Sequence, residues 1–450
     1  MRLLAVLVAV IILVAASGDD VRDQIPSIGS GGDDVRVQIP SIARNITHWR
    51  EMGKASKRKV CYIRPGHNNA DGDDGPLITQ TLNINCRRNS IVVFPGPVYN
   101  IRSPMTVGSL RNVTIHLYGR FLWSTNIDYW LSQSMPVGLQ NQTTVFHFGG
   151  DNVTLHGHGV GTLDGNGQVW YDWAGGEGNL PRRPMMVNWR RLTNSTVRGV
   201  RFVQSPMWTM AVTYSQNVEF ADIYVNNTST NGASTLNTDG IDTYYSRNIT
   251  LRRWHIKSGD DAVALKGNST GIRVLDSVVY GGQGLAIGSV GQYRNVFEYI
   301  THFYARNVTL FDTTYGLYLK TWGGNPKGLP PNGGGGGLGL MSDIVLEDIK
   351  LRGVRKAPLF AWQCENYEGG LGKDCQSSQY RMRDFVASWI TGWAATGVEH
   401  AGWFQCSERA GGCHRFTVSN VHVTRGQCGD ELTLWHCENM HDHTGFNCTD

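Results

Sequence analysis

Along most of the chain, apolar and polar residues alternate in runs too short and too regular for helices. Between the runs stand polar turns, often opened by asparagine. From about residue 90 the unit recurs as Asn112-Val113-Thr114-Ile115, Asn152-Val153-Thr154-Leu155, Asn217-Val218-Glu219-Phe220, Asn248-Ile249-Thr250-Leu251 and Asn307-Val308-Thr309-Leu310. Gly271-Ile272-Arg273-Val274 and Asp343-Ile344-Val345-Leu346 are variants. Alternation at period two gives each strand one apolar face. A repeat of roughly twenty to forty residues is the spacing of a solenoid. A unit built only of strands buries that face by stacking on its neighbours, which predicts an all-β parallel β-helix. A propeller is the alternative, but its blades need tight hairpins, and two-residue hairpin signals are rare here.

The ends depart from this pattern. Arg2, the apolar residues 3–14 and Ala15-Ala16-Ser17 read as a signal peptide over 1–17. Residues 18–50 contain a near-duplicate, Asp19 to Ile28 and again Asp33 to Ile42, and read as a flexible or processed leader. That leaves 51–450 as one β-helix domain. No apolar run is long enough to span a bilayer, so no membrane partner is expected. Residues 329–339, with five consecutive glycines, read as a long mobile loop interrupting one coil.

Composition and charge narrow the partners. The net charge of +4 is small for 450 residues, permits an acidic polysaccharide and argues against a nucleic-acid protein. Nine cysteines fit an oxidising, extracellular setting. The expected pairs are Cys61–Cys86, Cys364–Cys375, Cys406–Cys413 and Cys437–Cys448, with Cys428 free. Asn-x-Ser/Thr acceptors, including Asn45, Asn112, Asn248, Asn268 and Asn307, fit a secreted glycoprotein. No cysteine or histidine spacing indicates a metal site, and His441 and His443 read as polar tail.

The chemistry concentrates on successive coils. Asn237-Thr238-Asp239-Gly240-Ile241-Asp242 comes first, followed by Gly259-Asp260-Asp261, Gly282-Gln283-Gly284 and Tyr318-Leu319-Lys320. Neighbouring coils stack at roughly 4.8 Å, so equivalent positions project side by side. Asp239 and Asp260 are expected at equivalent points of one face. Asp261 reaches that face if the chain bends, for which Gly259 provides. Crowded carboxylates raise one another's proton affinity, which prepares one as an acid and leaves the others to hold water. Either motif alone also suits an ordinary turn. Their order inside a solenoid favours catalysis.

These motifs resemble glycoside hydrolase family 28, the polygalacturonases and rhamnogalacturonases. Gly161-Thr162-Leu163-Asp164-Gly165-Asn166-Gly167-Gln168-Val169-Trp170 and Ser205-Pro206-Met207-Trp208 share in the resemblance. It implies a right-handed parallel β-helix, inversion at the anomeric carbon, a monomer and no cofactor. It also implies Asp260 as general acid, with Asp239 and Asp261 activating water. An acid–base separation of roughly 6.5–9.5 Å goes with inversion. Lys320, Gln283, Asn237, Tyr318 and Asp242 are the candidate substrate contacts. Polygalacturonases usually have Gly-His-Gly and Arg-Ile-Lys where this chain has Gly282-Gln283-Gly284 and Tyr318-Leu319-Lys320. Tyr318 cannot replace the bidentate fork of an arginine. With Gly291-Gln292-Tyr293, Pro330-Pro331-Asn332 and the glycine run, the chain looks like the fungal exo-rhamnogalacturonase branch. That implies a pectic substrate and exo-action, releasing rhamnose or galacturonate.

Other residues carry less. Trp170, Trp173, Trp208 and Trp322 suit either sugar stacking or burial. His156 and His158, alternating on one strand, read as structural, and Arg182-Arg183 and Arg190-Arg191 as solvated surface. Two rivals remain: a calcium-assisted lyase on the same fold, and a β-helix that only binds wall glycans.

Overall fold

The computed structural model describes residues 39–66, 72–365, 367 and 374–449. The expected signal peptide and most of the expected leader lie outside them. Among the described residues, 27 strands form one sheet whose ladders are all parallel, coiled into a β-helix of three faces. The first face runs through Met210–Thr213, Ile241–Tyr244, Asp261–Leu265, Gly284–Val290, Tyr315–Trp322 and Ala357–Glu365. The second follows through Gln216–Ala221, Arg247–Arg252 and the first half of Ser269–Tyr280. Tyr224–Asn226, His255–Lys257 and the second half of Ser269–Tyr280 make the third.

The sequence repeat is the corner between the first two faces. Asn217, Asn248, Gly271, Asp343 and Asp384 all have positive φ there, a conformation that glycine, asparagine and aspartate reach at least cost. The residue after each turns inward, and register stacks Val218, Ile249, Ile272, Phe303, Ile344, Phe385 and Phe416. All are buried. Each such side chain stabilises the fold by about 1.5–3 kcal/mol. The asparagines also bond along the corner, Asn248 to Asn217 and Asn217 to Asn194 at 3.0 Å, Asn112 to Asn89 at 2.9 Å. Asn307 belongs to the next corner, between the second and third faces, where Val308 registers with Ser277 and Ile349.

Both ends of the stack are covered. Ile78 of helix Gly75–Gln80, with the following Leu82, closes the first coil, and Trp435 with Phe446 closes the last. Helix Ile46–Ser56 lies against the side of the first coils, Trp49 packing among Ile91, Val93 and Tyr118. The helix crosses residue 50, so the final part of the segment read as a leader is folded. The four expected disulfides are present, and Cys428 is free and exposed.

The glycine run is not the mobile loop expected. Gly333 to Gly337 are buried, and Gly335 and Gly337 donate backbone hydrogen bonds to Gln292 O and Gly291 O. A Cβ on Gly337 would stand 2.5 Å from Gly291 Cα. The glycines let two backbones touch. Gln292 completes the seam by donating to Pro331 O and Gly333 O, and its Oε1 accepts from Gln140.

Candidate active site

The first face carries the chemistry. Asp239 precedes strand Ile241–Tyr244, Asp260 precedes strand Asp261–Leu265, and Asp261 begins it. One carboxylate oxygen of each lies within 4.8 Å of the others. The sequence paired Asp239 with Asp260. The register instead sets Asp239 against Asp261, because Gly240 N–H donates to Asp261 O and Ile241 pairs with Val263. Asp260 sits one residue earlier and turns in by local bonding. Its Oδ1 accepts the N–H of Asp261 at 2.9 Å, and its Oδ2 the N–H of Asn237 at 3.0 Å. Gly259 is needed for space, since a Cβ there would meet Thr235 O at 2.4 Å. The oxygens are closer than the expected acid–base separation, because adjacent coils bring the side chains together directly.

Burial distinguishes the three. Asp239 and Asp261 are 3% and 2% exposed, whereas Asp260 keeps a partly open side. Burial pushes the Asp239 carboxyl well above the usual range, reinforced by Asp260, Asp242 and Asp261. Burial and Asp261 also raise Asp260, against the pull of Lys320 and of the Asn237 and Asp261 amides. Oδ1 of Asp239 and Oδ1 of Asp261 accept no hydrogen bond from the protein. A buried carboxylate oxygen in that state suits a donor brought by water or sugar.

Two lysines balance the acids. Lys320 Nζ lies 2.7 Å from Asp261 Oδ2, and Lys266 Nζ lies 3.3 Å from Asp242 Oδ1. Burial alone would lower both lysines, but Asp261 and Asp242 respectively hold each above the ordinary range. Asp242 is pushed up to about 7 by burial, which outweighs Lys266. Among the described residues, Asp239, Asp260 and Asp261 are also the set whose donor atoms could share a metal ion.

The other expected contacts arrive differently. Asn237 donates to Asp260 and accepts the N–H of Asn179. Gln283 meets Asp260 through its backbone, its N–H donating to Asp260 O at 3.0 Å. Tyr318 donates to Glu365 Oε2 at 2.7 Å, and its ring lies under Lys320 Nζ at 5.0 Å. Trp170, Trp208 and Trp322 are buried, so of the four tryptophans Trp173 alone is exposed.

Several participants escaped the sequence. Arg183 is fully buried, its Nε donating to Pro206 O and Nη1 to Leu236 O. Burial pulls its guanidinium down to about 10 against the attraction of Tyr171, Asp260 and Asp239. Nothing in Arg182-Arg183 separates it from an exposed pair, which Arg182 resembles. Asn227 ties Ser205, Thr209 and Thr238 together beside Asp239. Lys266 had a signal: it follows an apolar run ending at Leu265, as Lys320 follows Leu319, and Ile287 registers with both leucines. Glu365 had none. His156 and His158 do not alternate on a strand: His158 follows Phe146–His156 at positive φ, and its ring stacks with His156 and Tyr118.

Residues 113–448 match the glycosyl hydrolases family 28. Alpha-L-rhamnosidase rgxB of Aspergillus niger is 41% identical over 392 residues, 87% of this chain and 90% of the relative. Exopolygalacturonase X of Aspergillus niger is 34% identical over 303 residues, 67% of this chain and 68% of the relative. The crystal structure of an endo-xylogalacturonan hydrolase from Aspergillus tubingensis shares the fold with a TM-score of 0.73 at 23% identity, over 87% of this chain and 98% of that one. The parallel ladders, the aspartate motifs and these matches agree on one assignment, which includes the right-handed sense of the β-helix. The chain is a glycoside hydrolase and belongs to glycosyl hydrolase family 28.

Proposed function

We propose that this chain is a secreted, monomeric exo-glycosidase that removes α-L-rhamnose from the non-reducing end of rhamnogalacturonan with inversion. Asp260 delivers the proton to the leaving oxygen, because it alone of the three aspartates has an open side for a sugar. Asp239 and Asp261 hold and activate the water through oxygens that the protein leaves without donors.

One observation carries the choice of sugar. The resemblance puts a carboxylate-reading arginine at the place of Tyr318, and here Tyr318 bonds to the carboxylate of Glu365. Lys320, the remaining cation at that place, is spent on Asp261. A uronate placed there would face Glu365 with no arginine fork to receive it, whereas a neutral deoxy sugar would not be repelled. Exposed Arg355, bonded to Gly282 O beside Gln283, supports binding of the galacturonate that follows rhamnose in the chain. The seam of Gln140, Gln292 and the glycine run begins directly after strand Gly284–Val290. It supports a groove closed at one end, hence exo-action.

The alternative is release of galacturonate, favoured by the exopolygalacturonase relative. Oligomers ending in rhamnose or in galacturonate separate the two. Rhamnose appears as the first product from the former, with the latter left intact. Prompt release of galacturonate instead selects the alternative.

A further inference from the structure

At the corner that follows the first face, one position per coil forms a column, exposed at three of its four members. Tyr214 N–H donates to Tyr244 O, Tyr245 N–H to Gly267 O, and Asn268 N–H to Tyr299 O. These bonds align Tyr214, Tyr245, Asn268 and Tyr299 on four successive coils. The tyrosines are 40%, 44% and 39% exposed, unusual for side chains that usually lose much of their area on folding. Tyr214 and Tyr245 stack with centroids 5.2 Å apart and planes 23° from parallel. Asn268 interrupts the aromatic column, so Tyr245 and Tyr299 are separated by two coil spacings, roughly 9.6 Å. Together they line a depression of about 150 Å³, with Gln216 and Arg247 along its edge.

The charge of that depression is one-sided. Among the described residues, Arg247 is the one charged side chain lining it, and its Nε is steadied at 2.6 Å by Gln216 Oε1. The guanidinium thereby keeps its remaining N–H groups at the surface. Aromatic faces receive the C–H face of a pyranose, and an arginine fork receives a carboxylate. Together they select an acidic sugar ring.

We propose that the Tyr214–Tyr245–Tyr299 shelf is a second, non-catalytic binding site for galacturonate residues of the pectic chain. Strand Ile241–Tyr244 connects the two places: Asp239 precedes it and Tyr245 follows it, six residues on, or roughly 20 Å of extended chain. The shelf holds polymer near the active site without touching the bond that breaks. It rests on the pectic reading of the substrate, and not on which terminal sugar is released.

The test is affinity electrophoresis in gels containing polygalacturonate, with the Asp260→Asn protein as parent. Retardation is expected for the parent, weakened about fivefold to tenfold by Tyr245→Ala. Arg247→Ala is expected to weaken it comparably, and to have no effect with a neutral galactan. In the otherwise native enzyme, Tyr245→Ala leaves turnover of a small aryl glycoside of the released sugar unchanged and slows turnover of polymer. Equal retardation of parent and both variants overturns the shelf, even if the enzyme degrades pectin normally. Asn268 lies in an Asn-Ser-Thr acceptor, so the chain's own glycan is a competing occupant. Retardation that appears only after Asn268→Gln means that this glycan covers the shelf, and the proposal fails. Loss of activity on every pectic substrate in the native enzyme would instead refute the functional reading.

Discussion

Lys320 Nζ and Asp261 Oδ2 meet at 2.7 Å with side chains only 8% and 2% exposed. The pair joins two coils of the first face, Asp261 registering with Gly284 and Gly288 with Lys320. A buried pair of this kind is strongly coupled to its surroundings, so removing one partner leaves the other charge stranded.

Lys320→Met is expected to destabilise the fold by about 3–5 kcal/mol, measured by urea unfolding. The same change acts on catalysis. Lys320 lowers the proton affinity of Asp260, so its loss raises that carboxyl further and displaces the pH–rate profile toward higher pH. An unmoved profile would mean that Lys320 does not act on the acid.

Asn248 tests the corner. It has φ 53° and donates to Asn217 at 3.0 Å. Asn248→Ala and Asn248→Gly lose the same hydrogen bond, but only alanine strains at positive φ. Alanine should be less stable than glycine by about 1–2 kcal/mol in denaturant titration. Equal stabilities would remove conformational strain as the reason for the repeat.

How far such features can be read from sequence depends on whether their cause is local. A turn at Asn248 followed by an inward Ile249 is written in two adjacent residues, and the solenoid follows from its recurrence. Asn307 carries the same signature at a different corner, because both corners ask for the same backbone conformation. The three aspartates are legible as motifs. The alignment of Asp239 with Asp261 is not, since register depends on how whole coils settle. Arg183 is recruited by a loop, so its neighbours in sequence resemble ordinary surface, whereas Glu365 meets Tyr318 only because it ends the paired strand of the next coil. The glycine run misled for a related reason: glycines that permit mobility also permit contact, and only the opposing backbone at Gly291 decides between them.

The histidine cluster gives a stability prediction with a definite sign. Burial lowers His116 to about 4 and His158 to about 3, with the neighbouring histidines, Arg198 and, for His116, Arg58 adding to the effect. His156 is lowered too, by burial and then Arg198, against Asp222. The unfolded chain takes up these protons as the pH falls below about 6.5, while the folded cluster does not. Stability attributable to the cluster therefore falls between about pH 6.5 and pH 4. His158→Asn should flatten the decline of Tm over that window. An unchanged slope would contradict it.

Stereochemistry tests the division of labour. Retention requires a carboxylate to attack the anomeric carbon directly, whereas the role proposed for Asp239 and Asp261 is to hold the attacking water. Proton NMR during the first turnovers is expected to show the inverted sugar, although the oxygens lie nearer together than is usual for inversion. Initial release of the retained anomer would rule out water as the direct nucleophile.

The central claim is that Asp260 supplies the proton for glycosidic cleavage, and Asp260→Asn tests it most directly. Turnover on rhamnogalacturonan oligomers should fall at least about a hundredfold, the scale of lost general acid catalysis, with circular dichroism and Tm close to the parent. A folded Asp260→Asn protein with near-parental turnover would contradict the account.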